Sequence, residues 1–455
     1  MSKPSLNLNF RSLLLPILAA PLLAIPSYGD SQARIVRLSD VQGDVQIDRN
    51  TGEGYEKAFL NLPITQGVKI QTGKDARAEL ELEDGSTLRV APNAVIEVPQ
   101  LSLRDSGAKV TAIHLQQGTA YVNFLGTKND EFSLTFVRDK LVLTRSAHLR
   151  IELADAEATV AVFKGSVEIE GPSGPVTVGK NQTASFDLAQ DTHYELAKNI
   201  EESPYDSWDS EQAKYRERYT DNSYSSYSPY SYGTADLRYY GNFFNAPGYG
   251  LLWQPYFVGA GWDPFLNGAW AFWPGFGYGW VSSYPWGWTP YHYGSWVYMP
   301  MYGWAWQPGG AWMGWNTIPV VVNPPPTFFG PRTPGLPGQR IIPVNQGPTP
   351  TQLGKSPNRL QIPNNSAGLG IPRGSVRNLG LLSQDAERRG SVTMRIPSAQ
   401  PTRAWQGNLD GPSVARPSGW HGGSSARMGS SAGSSAGRAG STSRSSGGHS
   451  SGTRR

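Results

Sequence analysis

Residues 76–90 read Ala-Arg-Ala-Glu-Leu-Glu-Leu-Glu-Asp-Gly-Ser-Thr-Leu-Arg-Val, and this stretch decides the fold of the first half of the chain. Apolar and polar side chains alternate on both sides of Asp84-Gly85, which is the two-residue period of half-buried strands. An Asp-Gly pair accepts the positive φ angles of a type I′ turn. The stretch therefore predicts a tight β-hairpin.

The same alternation continues outward from this hairpin, from Ile35 to about Leu188. Its short bursts are separated by glycine-containing turns, as at 43–47, 118–122 and 166–170. Strands this short and this frequent indicate an all-β sandwich, barrel or solenoid. We predict a mainly β protein in which residues 32–190 form this domain of short strands.

The N-terminus has the pattern of a cleaved export signal. Lys3 and Arg11 form a basic region ahead of an apolar run from Leu13 to Ile25, and small residues follow this run. This order indicates a signal peptide over residues 1–29. A membrane anchor, the alternative, needs about 20 apolar residues, whereas this run is shorter and interrupted by proline. We expect a periplasmic or extracellular bacterial protein with no transmembrane anchor after signal removal.

The chain contains no cysteine among its 455 residues. This excludes disulfides, a thiol nucleophile and the lipidated cysteine that tethers a lipoprotein. The formal charge of +4 is too balanced to predict a polyanionic partner for the whole chain. Export therefore has to be judged from the leader, and partners from the individual regions.

The β region resembles the FecR domain, the periplasmic part of bacterial regulators of iron uptake. The resemblance lies in Gly67-Val-Lys-Ile-Gln-Thr-Gly73, in the Asp-Gly-Ser turn, in Leu115-Gln-Gln-Gly118 and in Val162-Phe-Lys-Gly165. It implies a non-catalytic domain that contacts other proteins. The regulators carry a cytoplasmic segment and a membrane-spanning helix, and nothing precedes the export signal here, so direct control of transcription is not expected. The FecR-like motif residues are Thr72, Asp84, Gly85, Ser86, Gly118 and Gly165.

A series of four aromatic residues and one glutamine recurs every three or four positions: Tyr205, Trp208, Gln212, Tyr215 and Tyr219. This spacing predicts one amphipathic helix over residues 200–220. The Ser/Tyr-rich stretch that follows is interpreted as a linker, residues 221–235.

Twelve of the 15 tryptophans lie between Trp253 and Trp315. Five of them are eight residues apart, which is the length of a very short strand plus a turn: Trp280, Trp288, Trp296, Trp304 and Trp312. The spacing predicts a meander of short strands over residues 236–316. In such strands Trp286 and Trp288, or Trp304 and Trp306, would present their rings on one face.

The run from Trp286 to Trp296 resembles a tryptophan-rich domain of unknown function, DUF6600, that often follows a FecR domain; the resemblance implies no activity. The rings have two interpretations. They can replace a conventional core, because each aromatic side chain buries about 150 to 250 Å², or they can form a platform on which sugar rings of an envelope glycan stack. The candidate residues under both interpretations are Trp262, Trp270, Trp280, Trp286, Trp288, Tyr291, His292, Trp296, Trp304 and Trp306.

The sequence shows no pattern of catalysis or of metal binding. Outside the Gly/Ser-rich tail the sequence has no Gly-x-Ser-x-Gly run that could form a nucleophile elbow, and it lacks a phosphate loop and a His-Glu-x-x-His pair. His292 has no second histidine at a usual ligand spacing, so we interpret it as a structural histidine. We predict a protein that is not an enzyme and that has no catalytic residues, no metal and no cofactor.

Residues 317–455 are first proline-rich and then rich in Gly, Ser and Arg, a composition that predicts a disordered cationic tail. Within it, the apolar runs 379–382 and 392–396 are expected to order locally or to dock on a partner. The whole chain is thus predicted to be a binding, scaffold or sensory protein of the envelope. We expect envelope proteins as partners, with peptidoglycan or another polysaccharide as the alternative, and no nucleic acid.

Overall fold

The computed structural model describes residues 34–395, except for 128, 190–192, 221–230, 275–276, 310–311, 315–317, 336–339, 347–350 and 353–358. The predicted signal peptide, most of the predicted linker and the tail from residue 396 therefore lie outside the described residues. No helix in the described part is both long and apolar enough to span a membrane.

The first part of the described chain is a β-sandwich, and the protein is mainly β, as the alternating pattern predicts. The strands in chain order are β1 (Val36–Gln42), β2 (Val45–Asp48), β3 (Tyr55–Lys57), β4 (Pro63–Ile64), β5 (Lys69–Thr72), β6 (Arg77–Glu81), β7 (Thr87–Val90), β8 (Val95–Leu103), β9 (Lys109–Phe124), β10 (Glu131–Phe136), β11 (Asp139–Leu143), β12 (Ala147–Leu153), β13 (Glu157–Lys164), β14 (Ser166–Glu170), β15 (Val176–Gly179), β16 (Gln182–Asp187) and β17 (Tyr194–Ala197).

Two sheets make up the sandwich, and β9 belongs to both. Sheet A has the order β4-β1-β6-β7-β9-β12-β13-β16-β17, and sheet B has the order β3-β2-β5-β8-β9-β10-β11-β14-β15. Residues 109–117 of β9 pair in sheet B, whereas 118–124 pair in sheet A. The crossing point is Gly118, whose φ of 83° lies in the left-handed region that favours glycine.

The core of the sandwich is formed by the apolar member of each alternating pair. Leu38, Leu80 and Leu88 on three adjacent strands of sheet A are fully buried between the sheets. Their polar neighbours in sequence necessarily point to the opposite face of sheet A. That outer face carries the charges from which the candidate site is built.

The second part of the described chain combines helices with short strands. Its elements are α1 (Asp206–Tyr219), α2 (Thr234–Tyr240), β18 (Gly241–Ala246), β19 (Gly250–Pro255), β20 (Asn267–Trp273), β21 (Gly277–Ser282), α3 (Thr289–His292), β22 (Ser295–Met299), β23 (Gly303–Gln307), β24 (Val320–Val322), β25 (Ile342–Asn345), β26 (Thr351–Gln352), β27 (Arg359–Pro363), α4 (Leu379–Arg389) and β28 (Ser391–Arg395).

The described residues contain four helices rather than the one that the sequence predicts. α1 falls inside the predicted range 200–220. α2 begins at Thr234, so the predicted linker 221–235 overlaps an ordered helix at its end. Tyr239 and Tyr240 in that helix are buried against other aromatic rings, and this burial stabilises a segment too short to be helical alone.

The short hairpins of the tryptophan-rich part belong to two separate sheets and do not form the single meander that the sequence predicts. β18-β19-β23-β22-β24 form one sheet, and β21-β20-β25 form another. Trp286 and Trp288 do not lie on a strand, because Gly287 closes a turn onto Tyr284 and Trp288 directly precedes α3, which begins at Thr289. The prediction of rings on one strand face is therefore wrong for this pair, whereas Trp304 and Trp306 do share β23.

Order extends well into the tail that is predicted to be disordered from residue 317. β27, α4 and β28 lie there, and they carry Leu360, Ile362 and Leu379 into the aromatic core. This apolar burial compensates for the entropy of ordering the segment. The Gly/Pro-rich composition of the neighbouring sequence gives no indication of that burial.

Candidate functional site

Five polar side chains on the outer face of sheet A are buried as completely as the apolar core. Alternation places Arg37 and Ser39 of β1, Glu79 and Glu81 of β6, and Arg89 of β7 where water is expected. Each is at most 2% exposed. Buried charges are stable in proteins only when they are paired and hydrogen-bonded.

Glu79 lies at the centre of the resulting ion network. Nε of Arg89 donates to its carboxylate over 2.7 Å, Nη1 of Arg373 donates over 2.9 Å, and Arg216 of α1 forms a third pair. Burial alone would raise the pKa of this carboxyl, but the three guanidinium groups hold its pKa well below the ordinary value. Glu79 is therefore held ionised near neutral pH, and its three arginine partners join the sandwich to two distant segments.

Arg37 and Asp236 form the second centre. Nη2 of Arg37 lies 2.7 Å from Oδ2 of Asp236 in α2, and Nη1 of Arg37 lies 3.0 Å from Oε2 of Glu81. Asp236 also binds Arg373 over 2.8 Å and accepts a 2.8 Å hydrogen bond from the Tyr215 hydroxyl. Burial opposes ionisation of Asp236, but Arg373, Arg37 and Arg216 lower its pKa below the ordinary value.

α1 is held to sheet A by a further set of pairs. Oδ1 of Asp209 accepts from Nη1 of Arg89 over 2.6 Å. Asp206 pairs with Arg150 over 2.7 Å and accepts a 2.9 Å hydrogen bond from the Tyr121 hydroxyl. These contacts reach β7, β12 and β9, so one face of the helix lies along the sheet.

The loop that follows β21 docks on the same face through its backbone. Nδ2 of Asn61 donates to the carbonyls of Ser282, over 2.9 Å, and Tyr284, over 2.7 Å. Nη2 of Arg37 donates to the Pro285 carbonyl over 2.8 Å. The apolar cores also join, because Trp273 and Val281 pack within the sandwich core. The two parts therefore form one continuous body.

The candidate aromatic residues are in the interior of the second part. All ten are at most 5% exposed. The ring of Trp286 stacks on Tyr284 with centroids 5.0 Å apart and meets Trp253 edge to face at 4.9 Å. Its Nε1 donates to the Ala367 carbonyl over 2.7 Å. Rings arranged in this way form a core held by offset and edge contacts, and they present no flat surface to solvent.

His292 is enclosed by two indoles. Its ring lies 4.5 Å from Trp288 and 4.5 Å from Trp312, stacked on the latter. Burial, with a smaller contribution from Arg37, lowers the pKa of His292 to about 3 against a backbone hydrogen bond at Gly314. Within the described residues, no group of three or more His, Cys, Asp or Glu side chains could hold a metal ion.

Two family models match separate parts of the chain. Residues 68–168 match the FecR protein family, and residues 234–323 match a family of unknown function, DUF6600. The chain carries a FecR region and a DUF6600 region. Both resemblances that the sequence suggests are confirmed. No curated protein matches the chain.

Two solved structures show partial similarity. Both are crystal structures of a proposed anti-sigma factor from Parabacteroides distasonis ATCC 8503. One is 15% identical, with a TM-score of 0.26, and the match covers 29% of this chain and 59% of that chain. The other is 12% identical, with a TM-score of 0.25, and the match covers 35% of this chain and 69% of that chain. The chain thus spans only part of either structure.

The FecR motif residues lie at turns and crossings of the sandwich. In the Asp84-Gly85-Ser86 turn only Gly85 has a positive φ, of 86°, so the turn is not type I′. The Leu82 carbonyl accepts from Gly85, and Leu82 and Ser86 close a three-residue loop in which Gly85 forms the bulge. The Asp84 carboxylate accepts from the Ser86 amide over 2.9 Å and from its hydroxyl over 2.9 Å, which fixes this turn.

The other motif residues have equally local partners. Oγ1 of Thr72 donates to the Ala91 carbonyl over 2.6 Å and accepts from the Ala94 amide over 3.0 Å. Gly165 has a φ of 80° in the turn between β13 and β14. Glu83, next to the Asp-Gly-Ser turn, contacts the segment just before α2, since the Ser231 amide donates to the Glu83 carbonyl over 3.1 Å.

Sequence reasoning missed the ion network. Its signal was present, because Glu79, Glu81 and Arg89 share one face of a predicted hairpin and Arg216 lies in the predicted helix. No spacing rule connects these positions to Arg373. The clustering of opposite charges on one strand face is the feature that could have indicated a covered surface.

Proposed function

We propose that this chain is an exported, non-enzymatic envelope protein whose FecR region binds protein partners, as a scaffold or sensory module. The observation that carries the proposal is the buried ion network, because it fixes the FecR region and the DUF6600 region in one orientation. A fixed composite surface is what a scaffold needs. The FecR family match supports protein partners, and the leader supports export.

The open end of the sandwich is the surface we assign to the partner. β17 is the last strand of sheet A and β15 the last of sheet B, and neither has a second neighbouring strand among the described residues. In β17, Glu195, Leu196 and Ala197 are exposed, Leu196 by 43%. A partner strand can add to such an edge through backbone hydrogen bonds.

Proximity crosslinking in cells tests the protein partner. A photoreactive residue at position 195 should capture a protein, and one at Lys57 on β3, at the opposite edge of sheet B, serves as the control position. A Leu196→Pro variant should lose the capture, because proline cannot donate to an added strand. Equal capture at both positions would remove the assignment to this edge.

Compartment is tested separately. Cell fractionation with N-terminal sequencing should recover a mature protein that begins near residue 30 in the periplasm or the medium. Recovery of the intact chain with Met1 among soluble cytosolic proteins would contradict the proposal as a whole.

The non-enzymatic part of the proposal is supported by the state of the buried carboxylates. Glu79 and Asp236 are each held ionised by arginines, so neither has a proton to donate near neutral pH. Incubation with purified cell-wall polymer should release no product. Turnover that a single carboxylate substitution abolishes would show an enzyme instead.

A second candidate function is glycan binding by the DUF6600 region. The candidate rings are core residues and form no flat platform, but two of them, Trp262 and Trp304, also line a cavity. A cavity with exposed aromatic and polar side chains supports this candidate.

A further inference from the structure

A cavity of about 340 Å³ opens on the DUF6600 region between β19, the β22–β23 hairpin and the segment around Asn364 and Glu387. This volume is at the lower end of the range of small-molecule sites, about 300 to 1,000 Å³. It is separate from the ion network. The chain therefore offers a built concave site that the scaffold role does not use.

Aromatic side chains form one wall of the cavity. Trp262 and Trp304 are at most 4% exposed and contribute the fixed part of the wall. Tyr298 is half-buried, and Tyr302, on the hairpin turn, is 60% exposed. An exposed tyrosine at the mouth of a cavity offers an apolar ring face with a polar edge, which suits a ligand of mixed character.

Three polar side chains with unused hydrogen-bonding capacity line the same cavity. Nε2 of Gln254 donates to the carbonyls of Tyr302, over 2.7 Å, and Trp304, over 3.0 Å, which fixes its amide and leaves Oε1 without a partner among the described residues. In the same described part of the chain, neither the Asn364 carboxamide nor the Glu387 carboxylate has a hydrogen-bond or ion-pair partner.

The chemistry of this lining selects the ligand class. The three groups together are rich in acceptors, so they suit a ligand that brings several hydroxyl donors. Lysine, arginine and histidine do not occur among the described residues that line the cavity, which disfavours phosphates, sulfates and uronic acids. A sugar ring has an apolar C–H face for a tyrosine and hydroxyls around its rim.

We propose that this cavity binds one uncharged pyranose unit of an envelope glycan, with Tyr302 against the face of the ring and Gln254, Asn364 and Glu387 accepting from its hydroxyls. The inference deepens the second candidate function and rests on it. It does not depend on the protein partner.

Titration of the full mature protein with cellobiose and with N,N′-diacetylchitobiose tests the cavity, with tryptophan fluorescence and indole NMR shifts as the readouts. We expect saturable binding that Tyr302→Ala and Asn364→Ala each weaken at least about tenfold, a loss of about 1.4 kcal/mol. Tyr55→Ala, an exposed tyrosine on β3, is the matched control and should bind as the wild type does.

The other outcomes separate the two proposals. Unchanged binding in the Tyr302→Ala/Asn364→Ala double variant would remove the cavity but leave glycan binding elsewhere on the region. Absence of binding to both disaccharides, and to purified sacculi, would remove both. Binding of choline but of neither disaccharide would show a cation site and overturn the sugar assignment.

Discussion

Arg37 on the first strand of the sandwich lies 2.7 Å from Asp236 on α2, and both side chains are at most 2% exposed. The pair connects the first strand of the sandwich to the start of the DUF6600 region inside the protein rather than at its surface. Buried pairs of this kind contribute little net stability when they are intact, but losing one partner is costly because the other charge remains buried. The junction is therefore sensitive to single substitutions.

Arg216→Ala should lower the free energy of unfolding by about 3 to 5 kcal/mol, because Glu79 and Glu81 both lose a partner. Chemical denaturation followed by fluorescence measures this change. Arg218→Ala removes an exposed arginine of the same helix and should change stability by less than about 0.5 kcal/mol. Equal effects of the two variants would show that the network is not energetically important.

Gly118→Ala should destabilise the sandwich, because a Cβ there would lie 2.7 Å from Cα of Ala94 at a φ of 83°. Gly107→Ala is matched for backbone angle, with a φ of 80°, but a Cβ there meets nothing within 4 Å. We expect Gly107→Ala to lower the free energy of unfolding by about 1 kcal/mol, from backbone strain alone. Gly118→Ala should lower it by at least about 2 kcal/mol more, because the added Cβ also overlaps its neighbours. Thermal unfolding of both variants decides whether the crossing of β9 needs glycine for space as well as for angle.

Acid should destabilise the protein through His292. Its pKa is about 3 in the folded chain and near the ordinary 6.5 when unfolded, so below pH 6.5 the unfolded state binds a proton that the folded state does not. Stability at pH 5 should therefore be lower than at pH 6.5 by about 2 kcal/mol from this residue. The loss should continue as the pH falls towards 3.

His292→Gln should abolish that part of the slope between pH 6.5 and 5, whatever it costs in absolute stability. His193→Gln, at an exposed position, should keep the slope of the wild type. Denaturant titrations at several pH values give the comparison. A slope that is the same in all three proteins would exclude the buried imidazole as its source. Glu79 and Asp236 add their own loss at lower pH, as protonation of the unfolded chain competes with their pairing.

A chain that ends at residue 346 should be at least about 3 kcal/mol less stable than one that ends at Arg395, because it lacks Arg373 and the Ala367 carbonyl that Trp286 binds. Increased binding of a hydrophobic dye should accompany the loss, since Leu360 and Ile362 no longer cover the rings. Comparable unfolding midpoints for the two chains would show that the segment 359–395 is dispensable.

The alternating strands, the FecR and DUF6600 regions and α1 were predictable because each depends on neighbours close in sequence. The position of Glu79 was not, since alternation predicts a solvated side chain and its cover comes from Arg216 and Arg373. Trp288 shares its eight-residue spacing with tryptophans that lie on strands, yet it directly precedes α3, and Trp286 lies in the turn before it. The order of 359–395 depends on burial against a core that no local pattern reveals.

Arg373 binds Glu79 and Asp236, and so the last pairs of the network require a residue that is made long after the strands it touches. During synthesis, Glu79 and Asp236 lack one of their arginine partners until about four fifths of the chain has been made. Contacts of such large sequence separation close slowly. The junction is therefore expected to be the last part of the protein to mature, after the strands that it covers have already paired.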